Sequence, residues 1–388
     1  MSYVKVLQPE YFKRFKCISS KCKSNCCSHN WQIRIDKSTY EKYASIDDDS
    51  RDELLSNIKI VTEDPFMALT IPRITGGCPF FTEQGLCCLQ LKYGFDYLCR
   101  TCMIHPRSIS YIDGEFETYL DLSCEEAVRL VLFGKEPIRL EESVLEPDGS
   151  GNIIPNRMLV AEKYTSAANA TEIFKTLRNA TLVILQSRQY SVRVRMLILC
   201  LFIQQIEELF TATRDSMVIR FTEGFIEVLH AGTYDSLAAQ MPGGVDIDMD
   251  LVLDILSEMQ SKNDKWLNIY LPRALEGLGM PSADSQPPED FYENYKSCYD
   301  TYFAGKEYIF ENYLVNHVLL EGFPFNYDKE TGVMKNYADL LAKYNLVEFL
   351  MTGLCGYIKK FNRRDIIDCV AAFSRCYGHS LKGYLVMD

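Results

Sequence analysis

Cysteine is the first residue type in this sequence that could do chemistry, because its cysteines are crowded towards one end of the chain. Ten of the fifteen lie in the first 124 residues, and the other five are spread over the rest of the 388-residue chain. In a reducing compartment such crowding indicates metal ligands or redox groups before disulfides. The odd total excludes a fully paired disulfide framework. The crowded ten are Cys17, Cys22, Cys26, Cys27, Cys78, Cys87, Cys88, Cys99, Cys102 and Cys124.

The spacing of these cysteines favours a metal centre. Cys22, Cys26 and Cys27 form C-x3-C-C, and Cys99 and Cys102 form C-x2-C. Thiolates are soft ligands that suit zinc and iron–sulfur centres. We expect nearby basic residues to favour ionised thiolates. These residues are Lys13, Arg14, Lys16, Lys21 and Lys23.

Two other cofactor sites find little support in the motifs. A radical S-adenosylmethionine site needs C-x3-C-x2-C, and the third position after Cys22 and Cys26 is His29. His29 could itself replace a cysteine as a metal ligand, but no second histidine lies at ligand spacing. No G-x-G-x-x-G follows a predicted strand, so a Rossmann-type cofactor site is not indicated.

The elements that must position the cysteines are short strands, turns and helices. Alternating apolar residues predict a strand at 31–36, and PFMALTIPRITGGCPFF predicts strand and turn at 65–81. A helix is predicted from about Ser38 to Ile60, capped by Ser38 or Thr39. A hairpin turning at Asp113-Gly114 is predicted at 111–122, followed by a helix over 125–133.

Beyond this region the pattern becomes helical. A serine-capped, largely buried helix is predicted over 191–210. The fold class is therefore α+β, predominantly α-helical, with a small cysteine-rich metal-binding domain carrying short strands before a larger helical domain. We place the first domain at 1–140 and the helical domain at 156–388, with a flexible stretch at 277–291.

Charge and hydropathy exclude several classes of protein. The net charge of −12 argues against nucleic-acid or anionic-membrane binding. The longest apolar run, Met196 to Ile203, is far shorter than the roughly 20 residues that span a bilayer. The first sixteen residues contain no apolar segment typical of a secretion signal. We therefore expect a cytoplasmic protein that crosses no membrane.

The segment YIFENYLVNHVLL at 308–320 predicts an unusual helix. Tyr308, Asn312 and Asn316 share one strip, yet apolar residues flank it, and Glu311 and His317 are likewise interleaved with apolar residues. Such a helix has no solvent face, so its polar side chains must be hydrogen-bonded. They either bind a ligand or join neighbouring helices.

Several motifs carry a family resemblance. The amino-terminal part, from FKCISSKCKSNCCSHNWQIRIDKSTYEKY through GGCPFFTEQGLC, LCRTCMIHPR and LDLSCEEAVRL, resembles the flagellin lysine-N-methylases, the FliB family. It is also similar to zinc- or iron-chelating cysteine-cluster domains. YIFENYLVNHVLLEGFPF resembles the same methylase family. The resemblance implies methyl transfer from S-adenosylmethionine to flagellin lysines by a protein that carries a [4Fe–4S] cluster.

The resemblance also assigns residues to the metal site. It implies that Cys17 is a weaker member of the motif and that Cys88 and Cys99 do not belong to it. The seven motif cysteines are Cys22, Cys26, Cys27, Cys78, Cys87, Cys102 and Cys124. A [4Fe–4S] cluster needs four protein ligands, for which we select Cys26, Cys27, Cys87 and Cys102. The further metal candidates are Cys22, Cys78 and Cys124, and zinc is the alternative metal.

The remaining site predictions concern the cofactor and the lysine. Asn312, Asn316, Glu311 and Arg107 are the candidate cofactor-binding residues, and Arg107 could instead pin a loop. The attacking lysine amine must be neutral, so the enzyme needs side chains that orient the amine or accept its proton. The candidate catalytic residues for this role are Tyr308, Tyr313 and His317. Two other functions stay open: a non-catalytic zinc-binding interaction module, and an iron–sulfur redox or sensor protein.

Overall fold

Strands occupy the amino-terminal part of the chain and helices dominate the remainder. The computed structural model describes residues 3–23, 25–29, 32–63, 66–74, 76–145, 153–165, 167–240, 252, 255, 267–280, 282, 288–327 and 332–380. Within these residues the predicted α+β, predominantly helical fold is confirmed. The eight strands described are β1 (Val4–Pro9), β2 (Arg34–Ile35), β3 (Ile58–Glu63), β4 (Phe66–Thr70), β5 (Arg107–Ile112), β6 (Glu115–Leu120), β7 (Leu140–Leu145) and β8 (Arg157–Leu159).

The strands form two small sheets. The larger has the order β7-β1-β6-β5-β8, in which β1 is parallel to β6 and antiparallel to β7. The predicted hairpin is β5 and β6, paired from Arg107 with Leu120 to Ile112 with Glu115. Asp113 and Gly114 form its turn, and both have positive φ. The smaller sheet, β2-β4-β3, is antiparallel and contains the strand predicted around residue 34.

Five helices lie among these strands. They are α1 (Lys37–Ala44), α2 (Ser50–Ser56), α3 (Cys88–Tyr93), α4 (Arg100–Ile104) and α5 (Glu125–Leu132). The single helix predicted from Ser38 to Ile60 is wrong. Asp36 is the cap, accepting a 2.9 Å hydrogen bond from the Thr39 amide, and a turn at Asp48 separates α1 from α2. Ile58 already belongs to β3, where it pairs with β4.

Nine further helices are described in the remainder of the chain. The serine cap predicted for the long apolar helix is confirmed, because Ser191 Oγ accepts a 3.4 Å hydrogen bond from the Val194 amide. The nine are α6 (Ala170–Leu185), α7 (Val192–Thr211), α8 (Val218–His230), α9 (Asp235–Gln240), α10 (Leu267–Gly277), α11 (Phe291–Tyr302), α12 (Tyr308–Glu321), α13 (Val333–Tyr357) and α14 (Arg363–Ser380).

The helices pack into a large core in which α12 is central. Every residue of α12 from Ile309 to Leu320 is buried, so the helix without a solvent face is confirmed. This core includes Tyr11 and Leu120 from the strand region, whereas Ile33 and Leu89 belong to a second, smaller core. The larger core thus draws on residues from both sides of 141–155, and the division at 140 and 156 stays a prediction.

Two expectations fall partly outside the described residues. Of the stretch 277–291, residues 281 and 283–287 are not described, so its predicted flexibility stays a prediction. Among the described helices, none combines the length and the apolar character that a bilayer span requires.

Candidate metal centre in a cysteine-lined cavity

Eight of the ten crowded cysteines line one cavity of about 320 Å³. Cys88 lines a different surface cleft, and Cys99 lies behind the cavity, with its Sγ 3.5 Å from the Sγ of Cys102. The structure therefore brings together the seven motif cysteines and Cys17, and it sets apart the two cysteines that we treated as extra. The lining set is Cys17, Cys22, Cys26, Cys27, Cys78, Cys87, Cys102 and Cys124.

Local backbone structure presents the vicinal pair Cys26 and Cys27. Asn25 caps the short turn at 26–28 by accepting a 2.9 Å hydrogen bond from the Cys27 amide. The Cys78 amide in turn donates to the Cys27 carbonyl at 2.7 Å. Gly77 precedes Cys78 with a φ of +92°, and a Cβ there would lie 3.1 Å from the Cys27 carbonyl oxygen. The glycine in GGC thus allows the two cysteine segments to lie side by side.

Helix starts present two further thiols. Cys87 precedes α3 and Cys124 precedes α5. Burial raises the pKa of the Cys124 thiol to about 12, while backbone amides of Ala127 and Glu126 oppose that shift. Amides at a helix start stabilise a thiolate, so the fold offers these thiols partial compensation for burial.

Two arginines outside the expected basic set place positive charge beside the thiols. The five basic residues near the first cysteines are exposed, and Lys13 pairs with Glu141 at 2.9 Å. Arg107 lines the cavity with its guanidinium 4.8 Å from the Phe15 ring centroid. A hydrogen bond from Cys27 and the charge of Arg375 lower the pKa of Cys26, although burial opposes them. Arg107, predicted as a cofactor or loop residue, therefore stands at the cysteine cavity.

Glu125 is a functional candidate that sequence reasoning missed. The Cys22 thiol donates a 3.0 Å hydrogen bond to Glu125 Oε1, and burial together with this carboxylate raises the pKa of Cys22. Arg364 forms an ion pair with the same carboxylate, which is 1% exposed. Glu125 and Glu126 directly follow Cys124, and acidic residues favour the first turn of a helix. The sequence therefore already indicated that Glu125 lies at a helix start close to Cys124.

The segment from Leu120 to Cys124 links the cavity to α12. Asn316 donates to the Leu120 carbonyl at 3.2 Å and accepts a hydrogen bond from the Tyr11 hydroxyl. Asp121 accepts a 2.8 Å hydrogen bond from the Ser123 amide, and Ser123 lines the cavity beside Cys124. The polar residues of α12 and the thiols thus share one short connecting segment.

The predicted cofactor-binding residues of α12 contact other parts of the protein. Asn312 donates to the Gly134 carbonyl at 2.8 Å, and Glu311 accepts hydrogen bonds from Arg188 and Arg195. These contacts join α12 to its neighbours, as one of the two sequence interpretations requires. Asn312 Oδ1 has no hydrogen-bond partner among the described residues. A cofactor-binding role stays a prediction.

The candidate catalytic residues lie along the same helix. Tyr308 is half-buried at its start, while Tyr313 and His317 are buried with ring centroids 4.5 Å apart. Burial lowers the pKa of His317 to about 4, assisted by Lys343, and burial raises that of Tyr313 well above its usual range. Neither the Tyr313 hydroxyl nor the His317 ring nitrogens have a hydrogen-bond partner within the described chain. At neutral pH His317 is therefore an uncharged base.

A single metal ion has no ready site in the described residues. No three His, Cys, Asp or Glu side chains there form a group that could hold one. His29 is buried and does not line the cysteine cavity. A tetrahedral zinc site needs its ligands about 2.3 Å from one point, whereas a [4Fe–4S] cluster attaches each thiolate to a different iron. Thiols are donors that both kinds of centre use, and either centre would draw its ligands from those that line the cavity.

Comparison with known proteins places the chain in a family. The family model of the FliB lysine N-methylase C-terminal domain matches residues 178–384, more than half of the chain. A lysine-N-methylase of Salmonella typhimurium is 28% identical over 155 residues, and that of Salmonella choleraesuis is 27% identical over 155. The flagellar biosynthetic protein FliU of Salmonella muenchen is 30% identical over 145 residues.

These matches cover limited parts of both chains. Each spans 37% of this chain; it covers 37% of each of the two methylases and 85% of FliU. No solved structure matches. The chain belongs to the FliB lysine N-methylase family.

Proposed function

We propose that this protein transfers methyl groups from S-adenosylmethionine to lysine side chains of flagellin, and that its cysteine-lined cavity holds a [4Fe–4S] cluster. The observation that carries the cluster is the meeting of eight thiols, drawn from Cys17 to Cys124, around one cavity. Family membership and the names of the relatives support the methyl transfer.

The four thiols chosen as cluster ligands belong to the lining set. Cys26 and Cys27 come from one turn, Cys87 from the start of α3, and Cys102 from α4. A bound cluster would cross-link these segments, which also share the smaller hydrophobic core. The remaining lining cysteines would surround the cluster, and Arg107 and Arg375 would offset its negative charge.

Methyl transfer needs a neutral lysine amine, whose unperturbed pKa is about 10.4. His317 is uncharged and neither ring nitrogen has a hydrogen-bond partner among the described residues, so it can accept a hydrogen bond from the amine, but with a pKa of about 4 it is too weak a base to hold the lysine's proton. Tyr313 beside it keeps its proton and can only orient a neighbouring group. The sulfonium of S-adenosylmethionine supplies the methyl group once it is bound.

The test combines metal content with turnover. Protein purified without oxygen should carry iron and sulfide and absorb in the thiolate-to-iron region, whereas a colourless, zinc-loaded protein would contradict the cluster. Incubation with S-adenosylmethionine and flagellin should give a mass gain on lysine. Iron-loaded protein that neither binds S-adenosylmethionine in a thermal-shift titration nor modifies flagellin would be a redox or sensor protein instead.

The role of the cluster is tested separately. Cys26, Cys27, Cys87 and Cys102 are each replaced by serine, and iron content, near-ultraviolet circular dichroism and turnover are measured. Loss of both iron and fold indicates that the cluster stabilises the structure. A retained fold without turnover indicates that the cluster takes part in the reaction.

A further inference from the structure

A second cleft, outside the cysteine cavity, has a strongly cationic lining. It measures about 510 Å³ and is bounded by the carboxyl-terminal half of α5, the start of α14 and Arg14. Four arginines line it, and no Asp or Glu does. They are Arg14, Arg129, Arg363 and Arg364.

Two of the four guanidinium groups are already engaged by carboxylates. Arg129 pairs with Glu126 at 2.6 Å, and Arg364 pairs with Glu125. Arg14 and Arg363 are exposed and have no carboxylate within ion-pair distance among the described residues. In a chain with a net charge of −12, this cleft keeps two arginines available for an anionic ligand.

The rest of the lining is apolar. Leu130, Phe133 and Ile367 contribute side chains, and the Arg363 guanidinium lies 5.2 Å from the centroid of the Phe133 ring. An apolar floor with arginine at its edge is typical of the energetically important centre of a protein–protein interface. A ligand that fits it carries carboxylates next to apolar groups.

We propose that this cleft binds an acidic segment of a polypeptide, and that this segment belongs to the protein substrate. The identity of that partner rests on the proposed function, whereas the affinity for acidic peptide does not. A strongly acidic enzyme repels anionic partners over most of its surface. A local pair of free arginines would therefore decide where such a partner docks.

The cleft lies one short helix away from the cysteine cavity. Helix α5 leads from Cys124 at the cysteine cavity to Phe133 at the cleft. Its eight residues span about 12 Å, which an extended peptide covers in about four residues. A segment bound at Arg14 and Arg363 would thus extend to the cysteine cavity within about four residues.

Binding is tested on the full chain with labelled peptides. Fluorescein-hexaglutamate is titrated by anisotropy, with hexaglutamine as the neutral control. We expect the double variant Arg14→Gln/Arg363→Gln to weaken hexaglutamate binding about tenfold. The matched variant Arg214→Gln/Arg220→Gln, which removes two exposed arginines elsewhere, should bind like the unchanged protein. Equal affinity in both variants, or no binding to the unchanged protein at low salt, overturns the proposal.

A kinetic measurement identifies the partner. In the cleft variant KM for flagellin should rise while kcat stays unchanged. A rise in KM for S-adenosylmethionine instead would make the cleft a small-molecule carboxylate site and refute docking of a polypeptide. If flagellin is not methylated at all, the proposed function fails, and the peptide titration still decides whether the cleft binds an acidic segment.

Discussion

The Cys22 thiol donates a 3.0 Å hydrogen bond to Oε1 of Glu125, a residue 103 positions further along the chain. This contact closes one wall of the cysteine cavity against the start of α5. The same carboxylate is paired with Arg364 of α14. One buried side chain of α5 therefore joins the cysteine-rich segment to the last described helix.

Replacing Glu125 should destabilise the protein. Glu125→Ala leaves the Arg364 guanidinium, which is 30% exposed, with Asp368 as its remaining carboxylate partner, and it frees the Cys22 thiol. Breaking a fully buried pair costs about 3–5 kcal/mol of unfolding free energy, and because Arg364 is partly exposed and keeps Asp368 we expect a loss of about 1–2 kcal/mol. Denaturant titration measures the loss. Glu223→Ala, at an exposed position of α8, should change stability by less than about 0.5 kcal/mol, and an equal loss in both variants would contradict the assignment.

Two neighbouring cysteines should differ in their effect on bound iron. Cys87 lines the cavity, whereas Cys88 lines a separate cleft next to Leu89. Cys87→Ser should lose most of the iron recovered without oxygen, and Cys88→Ser should keep it. Iron and acid-labile sulfide are measured per chain. The same loss in both variants, with the fold retained, would remove the distinction on which the proposed ligand set depends.

His317 should make the protein less stable in mild acid. Burial lowers its pKa from 6.5 to about 4, so in that interval the unfolded chain binds a proton at this position and the folded chain does not. Stability is therefore lost as the pH falls through this window, by at most about 3 kcal/mol. The unfolding free energy of His317→Gln should fall less between pH 6.5 and 4.5 than that of the unchanged protein.

The control for this pH dependence is a second histidine. His230, exposed at the end of α8, is replaced by glutamine, and the unfolding free energy of this variant is measured over the same pH range. Its variant should follow the unchanged protein. A His317→Gln profile that also follows the unchanged protein would show that His317 is not held neutral by burial.

Close helix packing predicts opposite effects for two glycines. A Cβ on Gly353 of α13 would lie 2.4 Å from the Ala274 carbonyl of α10, whereas one on Gly224 of α8 would meet no atom within 4 Å. Gly353→Ala must push the two helices apart and should cost about 1–3 kcal/mol. Gly224→Ala should stabilise its helix by up to about 1 kcal/mol. Thermal unfolding of both variants measures the difference, and loss of stability in both would argue against the close approach.

Local sequence patterns predicted those elements whose signals are local. The hairpin turns where Asp113-Gly114 supplies two residues with positive φ, and α7 begins at the serine that caps it. The interleaved residues of α12 correctly predicted a helix without a solvent face. The helix expected over 38–60 failed because Asp48 is held by Lys92 and Tyr93, at 3.0 and 2.8 Å, and because Ile58 pairs with β4. Both interactions are distant in sequence.

By itself the sequence determined that thiols are concentrated in one segment, that α12 is buried and which turns can close, since these follow from residue type and short-range periodicity. Only the tertiary structure decided that Cys88 and Cys99 do not line the cavity, that Arg107 and Arg375 stand beside the thiols, and that Glu125 accepts a hydrogen bond from Cys22. The physical reason is that the direction of a side chain and the residue it contacts depend on how separate elements pack together. Spacing along the chain does not encode that packing.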